Sequence, residues 1–335
     1  MVDFAESIRA AATETGFSGV VRIDDGNDTK MFEAFGLAHR GFGLPNTIDT
    51  QFAIASGGKG FTALAVVSLI ADGVLSLDTT ARSVLGPDLA HIADDVTVAH
   101  LLAHRSGIGD YIDEENEDLD PNDYVLVSPI QDLVTTDGFV VEVDGHPTKF
   151  AADERFSYCN GGYIVLALIA ERSSGVGYHE LVTERVLEPA GLQDTGFLRA
   201  DEPSGRMAMG YLHLDGLRTN VLHLPIRGNG DGGIYTTATD MHTFWNALFD
   251  GRVVTDEWVA EMCRSHSEVP ENHSRYGLGF WLAETGPSVM LVGGDAGVSF
   301  CSTHDPATGR SWTIMSNTTD GAWPLVRQLR GNCTI

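Results

Sequence analysis

The sequence predicts an α/β (α+β) fold in which the N- and C-terminal segments form an antiparallel β-sheet flanked by helices, with a mostly helical inserted subdomain. Strand patterns lie near both ends of the chain, and helical patterns fill the stretch between them. The 335 residues contain no internal repeat, low-complexity tract or linker. We therefore expect one domain over residues 1–335, with the sheet region at about 1–60 and 230–335 and the helical region at about 61–229.

The first elements follow directly from the residue pattern. Residues 8–15 have the spacing of a short amphipathic helix. Residues 17–36 are typical of a β-hairpin with a turn at 24–27. A long apolar stretch from about residue 57 indicates a buried helix, and we expect it to end at Gly73, because glycine favours the left-handed conformation at helix ends.

The later elements continue the same order. Helical patterns occupy residues 96–104, 160–174, 178–187 and 239–249. Strand patterns follow at 277–282, 288–292, 298–303 and 311–316, before a last helix at 322–330. The acidic stretch 113–123 lacks the glycine and glutamate that a calcium-binding loop requires at fixed positions, so we expect a solvated loop there.

Composition excludes several classes of function. The chain is an acidic protein with 47 Asp and Glu against 21 Lys and Arg, a net charge of −26. Nucleic acid and anionic membrane surfaces are therefore poor partners. The longest apolar run, residues 63–71, is too short to span a membrane. The excess of acid fits both a salt-adapted host and a simple surface bias, and the sequence leaves both open.

Cysteine usage and the first residues bear on location. The four cysteines, Cys159, Cys263, Cys301 and Cys333, have no C-x-x-C spacing and no zinc-ligand pattern. We expect ordinary reduced thiols, with neither a metal nor an organic cofactor. The start of the chain has no basic or apolar signal-peptide region, which favours a cytoplasmic location, although secretion with a removed signal stays open. The pattern carries no indication of oligomeric state.

Ser56 and Lys59 form the most informative pair in the chain. Residues three apart at the start of a helix share one face, so the Lys59 amine can reach the Ser56 hydroxyl. A desolvated amine activates a serine nucleophile, and the helix start favours developing negative charge. The chain has only three lysines, and of these only Lys59 has a serine three residues before it. On this pair alone, an N-cap serine with an exposed lysine is an equal alternative.

Tyr158 and Asn160 form a second candidate group just before a predicted helix. A nearby Lys59 ammonium would lower the pKa of the Tyr158 phenol, which could then share the Ser56 proton and protonate a leaving group. Asn160 offers an amide donor and acceptor to a substrate or to Lys59. Taken alone, these residues are better explained as a packed tyrosine and a helix cap.

Together the two groups resemble the S-x-x-K and Y-x-N motifs of serine β-lactamases and penicillin-binding proteins. The likeness is closest to the class C β-lactamase and esterase branch. Residues 96–107 and 186–197 also resemble segments of that branch, and the likeness runs from about 19 to 317. The resemblance implies a β-lactamase/transpeptidase-like catalytic domain. It further implies catalytic residues Ser56, Lys59 and Tyr158, and substrate-binding residues Asn160, Gly293 and Gly294.

The resemblance also assigns finer roles. Gly294 N–H would be the second oxyanion donor beside Ser56 N–H, and the glycine-rich loop at 228–233 would be structural and line the margin of the site. Asp295, which follows Gly294, could place charge near the substrate, although local hydrogen bonding is the commoner role of such a residue.

Leu291 departs from the family pattern. The family has Lys or His at this position, where the cation helps to hold a substrate carboxylate and tunes the tyrosine. We therefore predict a serine hydrolase that acts through an acyl-enzyme on an amide, peptide or ester, as an esterase, amidase or peptidase. The partner would be a small-molecule or peptide substrate. Open alternatives are a true β-lactamase or DD-carboxypeptidase, and a catalytically silent penicillin-binding-like recognition protein. An α/β-hydrolase is disfavoured because no G-x-S-x-G elbow surrounds Ser56.

Overall fold

The computed structural model describes residues 4–116, 118–269, 271 and 273–332. The strands are β1 (Gly19–Asp25), β2 (Asp28–Phe35), β3 (Leu37–His39), β4 (Leu44–Pro45), β5 (Phe52–Ala53), β6 (Tyr235–Thr236), β7 (Ser267–Val269), β8 (Ser274–Tyr276), β9 (Trp281–Ala283), β10 (Val289–Asp295), β11 (Val298–Asp305) and β12 (Arg310–Ser316). The α-helices are α1 (Phe4–Glu14), α2 (Lys59–Ala71), α3 (Ala81–Leu85), α4 (Val98–Leu102), α5 (Val140–Val143), α6 (Asn160–Ser174), α7 (Tyr178–Val182), α8 (Glu188–Ala190), α9 (Ala238–Phe249), α10 (Asp256–Met262) and α11 (Trp323–Asn332).

Eight of the strands form one antiparallel sheet in the order β2-β1-β12-β11-β10-β9-β8-β7. The N- and C-terminal segments meet near one edge of this sheet, where β1 pairs with β12 from Gly19 opposite Ser316 to Asp25 opposite Arg310. The β1–β2 hairpin turns at Gly26, whose φ of 61° suits glycine. The sheet of terminal segments with helices between them confirms the predicted fold class.

The sheet separates two apolar layers. Alternate residues of a strand point to opposite faces, and the neighbours Val20 and Val21 accordingly belong to different clusters. Val21 packs in a smaller layer with Ile8 of α1 and Leu325 of α11. Val20 packs in the larger layer, which contains α2, α6 and α9. The larger layer is the one that carries the site described below.

Helix α2 runs through the centre of the larger layer. Every residue from Lys59 to Ile70 is buried, which explains why its sequence is apolar on all sides. The helix ends at Ala71, and Gly73 adopts a φ of 74°, as the sequence predicts for its end. Within the described part of the chain, no helix has the length and apolar character needed to cross a bilayer.

Two predicted elements are shorter than expected. The predicted strand at 277–282 begins only at Trp281, because the chain before it passes tightly over other segments. A Cβ at Gly277 would lie 2.1 Å from the Met262 carbonyl oxygen, and Gly279 has a φ of 88°. The predicted helix at 96–104 is α4 only, since Thr97 caps its start and His104 leaves the helical conformation with a φ of 54°.

Candidate active site

Ser56 lies in a 3-10 turn, Ala55–Gly58, that leads into α2. The N-cap of α2 is Gly58, so the alternative in which Ser56 caps an exposed helix is wrong. Ala55 has a φ of 44°, an uncommon conformation for a residue with a side chain, and its carbonyl oxygen accepts a bond from Gly233 N–H at 3.2 Å. This turn presents Ser56 to a cavity while Lys59 behind it is buried.

Lys59 uses all three of its donor positions. Its Nζ donates to Ser56 Oγ at 2.9 Å, to Asn160 Oδ1 at 2.7 Å and to the Asp231 carbonyl oxygen at 2.6 Å. Burial lowers the pKa of Lys59 below its ordinary value, although the nearby carboxylates of Asp231 and Glu114 raise it in part. The arrangement therefore places an amine that is easier to deprotonate than a surface lysine against the Ser56 hydroxyl.

Tyr158 completes the group around Ser56. Its ring centroid lies 4.9 Å from Lys59 Nζ and 5.8 Å from the Trp281 ring, on which it stacks, and its hydroxyl is close enough to Ser56 for that serine to lower the Tyr158 pKa in part. Burial raises the pKa of Tyr158 well above its usual range, and the Glu114 carboxylate raises it further. The expectation that Lys59 lowers this pKa is wrong, because desolvation of the phenolate outweighs the neighbouring cation. Tyr158 is therefore a neutral phenol that holds its proton.

Asn160 is the first residue of α6 and is buried. Its amide oxygen accepts the Lys59 bond, and its amide nitrogen donates to the Ile112 carbonyl oxygen at 3.2 Å and to Glu114 Oε1 at 3.1 Å. Its backbone N–H donates to Asp110 at 2.6 Å. The side chain thus orients the lysine, while its contact with a substrate stays a prediction.

Gly293 and Gly294 lie on β10 beside the Ser56 turn. A Cβ at Gly293 would lie 2.0 Å from the Ile54 carbonyl oxygen and 2.8 Å from Gly57 N, so only glycine allows the strand to pass this close. Gly294 is exposed to the cavity that Ser56 also lines. The structure brings both glycines to the serine, and their role as substrate-binding residues stays a prediction.

The cavity in front of Ser56 has a volume of about 490 Å³. Apolar and aromatic side chains form much of its wall, among them Leu126, Phe139, Leu198, Ile226, Trp281 and Trp323. Four carboxylates also line it, from Glu114, Asp231, Asp295 and Asp320. Among the described residues that line the cavity, none is Lys or Arg.

Leu291 does not take part in this wall. It is only 2% exposed, and it packs so closely on α2 that a Cβ at Gly60 would lie 2.6 Å from its Cδ2. The position that holds a cation in the wider family is therefore apolar and buried here. In the described residues around the cavity, no other cation replaces it.

The acidic stretch is more than the solvated loop that the sequence predicted. Residues 111–116 and 118–126, here called the roof segment, supply several cavity-lining side chains. The Tyr111 hydroxyl donates to the Asp231 carboxylate, and the Tyr124 hydroxyl donates to Asp295 Oδ1 at 3.1 Å. Lys149 Nζ pairs with Glu115 at 2.7 Å on the outer side. Since these partners are distant in sequence, local pattern could not reveal them.

Two carboxyl groups of the cavity are tuned by burial. Burial raises the pKa of Asp295 to about 7, against opposing hydrogen bonds from Ala296 N–H and Tyr124. Burial likewise raises the pKa of Asp231. Each also accepts a bond from a tyrosine whose own pKa burial raises well above its usual range, so the tyrosines donate and the carboxyls accept. The result is a cavity whose anions are poorly solvated and open to a cationic partner.

The remaining polar residues that the structure describes offer no metal centre. Within the described ranges, no group of three His, Cys, Asp or Glu side chains could hold a metal ion. Cys159, Cys263 and Cys301 are free thiols, and Cys333 lies outside the described residues. Cys159 has a structural task, because its Sγ accepts a bond from Gly162 N–H at 3.3 Å at the start of α6.

The fold and this site define a class of protein: chains that place a Ser-x-x-Lys pair at the junction of an antiparallel sheet and a helical region. The Beta-lactamase family model matches residues 4–330, and the chain belongs to that family, as the sequence resemblance predicted. The putative penicillin-binding protein PbpX of Bacillus subtilis is 28% identical over 84% of this chain and 66% of its own length. The teichoic acid D-alanine hydrolase of Staphylococcus aureus is 26% identical over 67% of this chain and 52% of its own.

A solved structure gives the same result for the fold. The penicillin-binding protein from Bacillus halodurans superimposes with a TM-score of 0.90 and is 32% identical, covering 97% of this chain and 99% of that one. The curated relatives are longer, and the chain spans 57 to 66% of the first three that it matches.

Proposed function

We propose that this protein is a serine hydrolase that cleaves an ester or amide through an acyl-enzyme on Ser56. The observation that carries the proposal is the 2.9 Å contact between buried Lys59 Nζ and Ser56 Oγ. The reaction starts from the deprotonated Lys59 amine, which keeps two N–H donors for Asn160 and the Asp231 carbonyl oxygen and turns its lone pair to the Ser56 hydroxyl. Ser56 Oγ attacks the substrate carbonyl and its proton passes to that amine. Ser56 N–H and Gly294 N–H receive the negative charge that develops on the carbonyl oxygen.

Collapse of this intermediate needs a proton on the leaving group. Tyr158, a neutral phenol beside Ser56, gives its proton to the leaving oxygen or nitrogen and recovers one from Lys59. Water then attacks the acyl-Ser56 ester, and the same residues transfer the protons in the reverse direction. This step releases the acid and restores the serine. Neither step requires a metal or an organic cofactor.

The acyl part of the substrate is neutral or cationic under this proposal. A carboxylate, as in penicillins and peptidoglycan peptides, would face four cavity carboxylates with no lining cation among the described residues. An α-ammonium group would instead pair with Asp231, Asp295 or Glu114. The relative named for D-alanine supports an aminoacyl substrate. β-Lactamase or DD-carboxypeptidase activity is thus the weaker alternative.

Hydrolysis of p-nitrophenyl acetate tests the enzymatic proposal. The wild type should release p-nitrophenol with turnover, and Ser56→Ala should abolish it. Ser76→Ala, which removes an exposed hydroxyl beyond the far end of α2, is the matched control and should keep full activity. No turnover by the wild type, combined with no fluorophosphonate adduct on Ser56, would show that the protein is a catalytically silent recognition protein.

A second comparison tests the substrate class. D- and L-alaninamide should be hydrolysed more efficiently than their N-acetyl derivatives, because acetylation removes the ammonium group. Nitrocefin, which carries a carboxylate, should be a poor substrate. A higher kcat/KM for nitrocefin or for the N-acetyl amides would contradict an ammonium-binding cavity while leaving the serine chemistry intact.

A further inference from the structure

His104 is a buried residue that the chemistry above does not use. It follows α4, is only 1% exposed, and has a left-handed backbone with a φ of 54°. We propose that His104 is a positioning residue for Tyr158, holding the backbone on both sides of that tyrosine and supporting its ring. The inference rests on the proposed role of Tyr158 in proton transfer.

His104 accepts hydrogen bonds from both residues that flank Tyr158. The His104 carbonyl oxygen accepts a bond from Ser157 N–H at 2.9 Å, and His104 Nδ1 accepts one from Cys159 N–H at 3.0 Å. The two donors are the residues directly before and after Tyr158. One residue therefore fixes both flanking peptide groups, and only Tyr158 between them is left to face Ser56.

The His104 imidazole also packs against the Tyr158 ring. The His104 and Tyr158 ring centroids lie 4.2 Å apart with an interplanar angle of 33°. The imidazole also packs near three other rings, with centroid separations of 5.0 Å to Tyr163, 4.8 Å to Tyr276 and 5.8 Å to Phe156. Tyr158 is thus held between the imidazole and Trp281, on which it stacks. Rotation of the phenol away from Ser56 would break contacts on both of its faces.

His104 has two energetically unfavourable features, a buried ring N–H that is unpaired in the described part of the chain and a left-handed backbone. Since Nδ1 accepts a bond, the ring proton resides on Nε2, and buried Nε2 has no hydrogen-bond partner among the described residues. Burial and the Lys59 charge both hold the pKa of His104 well below its usual range, so the ring stays neutral. An unpaired buried N–H and a left-handed histidine are both unfavourable, and such features persist where a geometry is functional.

His104 is not a second general base in this arrangement. Its acceptor nitrogen is engaged by the Cys159 backbone, and the Ser56 hydroxyl already contacts Lys59 and Tyr158. Its effect on catalysis therefore passes through Tyr158. A positioning role can therefore be told from a merely structural one. If His104 acts through Tyr158, replacing His104 should not change kcat once the Tyr158 hydroxyl is absent.

A double-mutant cycle with phenyl acetate, whose phenolate leaving group is basic enough to draw on the Tyr158 proton, tests the proposal. His104→Phe keeps a ring but loses the acceptor, and should lower kcat about 10-fold or more with KM within about twofold. In a Tyr158→Phe background the same change should alter kcat less than twofold. Equal losses in both backgrounds, or no loss in a folded His104→Phe protein, would overturn the proposal. Absence of wild-type turnover would instead overturn the proposed function.

Conservative variants keep the test valid if His104→Phe does not fold. Asn tolerates the left-handed conformation, and its Oδ1 lies one bond beyond Cγ, as Nδ1 of histidine does. His104→Asn should therefore retain more of the wild-type kcat than His104→Gln, whose acceptor lies one bond further out. His100→Phe, within α4, is the control, because His100 Nδ1 accepts its bond from Thr97 N–H at 3.3 Å and not from the backbone beside Tyr158. Equal kcat values for the Asn and Gln variants would contradict the proposal.

Discussion

At the scale of single residues, Lys59 determines the chemistry of the site. Its amine is buried and directly bonded to Ser56, and burial favours the neutral form that can accept a proton. Sequence spacing predicted this contact because residues three apart share a helix face. It did not predict that the Asp231 carboxylate raises the pKa of Lys59 against the effect of burial, because Asp231 lies 172 positions away in a glycine-rich loop.

Replacing Lys59 by methionine should remove the base with little change in shape. We expect kcat/KM for p-nitrophenyl acetate to fall roughly 10²- to 10⁴-fold, the range typical of a lost general base. Stopped-flow and steady-state assays measure this change. Lys30→Met, at an exposed lysine of β2, should be indistinguishable from wild type. A Lys59→Met enzyme with more than a tenth of wild-type activity would contradict the assigned base.

Asp231→Asn should shift the pH dependence of the reaction. The Asp231 carboxylate raises the pKa of Lys59, so removing its charge lowers that pKa and frees the amine at lower pH. The acid limb of the kcat/KM profile should therefore move to lower pH in this variant. Asp320→Asn removes a different cavity charge and is the control. A shift to higher pH in Asp231→Asn would show that Lys59 is not the titrating base.

At the scale of elements, the site depends on the junction between β10 and the Ser56 turn. The sequence predicted a strand at 288–292, and β10 continues through Gly293 and Gly294 to Asp295. Consecutive glycines are poor strand formers by pattern alone. Only the close approach of the Ser56 turn, a tertiary contact, explains why the strand continues there.

The two glycines should respond differently to alanine. Gly293→Ala places a methyl group 2.0 Å from a backbone oxygen that cannot move freely, and we expect a loss of about 3 kcal/mol in unfolding free energy together with most activity. Gly294→Ala meets only the Trp323 ring at 3.2 Å and should cost less than about 1 kcal/mol. Urea denaturation and ester turnover measure both. Equal effects at the two positions would contradict the described junction.

At the scale of the whole molecule, local pattern predicted the sheet of terminal segments and the central helices, while the family resemblance implied that Tyr158 joins Ser56 and Lys59. It predicted neither the roof segment nor the acidic character of the cavity. Those features arise from contacts such as Tyr124 with Asp295, which join residues 171 positions apart. A buried carboxyl also has no local signature, because its environment is made by the complete fold.

Asp295→Asn should make the folded molecule more stable at high pH. Folding raises the pKa of this carboxyl to about 7 from 3.8, so the folded state binds a proton that the unfolded state has released. Stability contributed by that proton is lost as pH rises from about 4 to 7. Asn does not ionise, so the Tm of the variant should exceed that of wild type at pH 8 by more than at pH 5.

Thermal unfolding at both pH values measures this difference. Asp320→Asn, again on the cavity wall, controls for the loss of one negative charge. The Asp295→Asn variant should also lose part of the preference for alaninamide over N-acetylalaninamide. A Tm advantage that shrinks as pH rises would contradict the assignment of a buried, reluctantly charged carboxyl.

The acyl-enzyme is the most direct test of the central claim. The wild type is mixed with excess p-nitrophenyl acetate, quenched in acid within the first turnovers, digested and analysed by mass spectrometry. The predicted result is an acetyl group of about 42 Da on the peptide that contains Ser56, absent in Ser56→Ala and formed more slowly in Lys59→Met. Turnover with no modification of Ser56, or equal turnover by Ser56→Ala, would contradict the account.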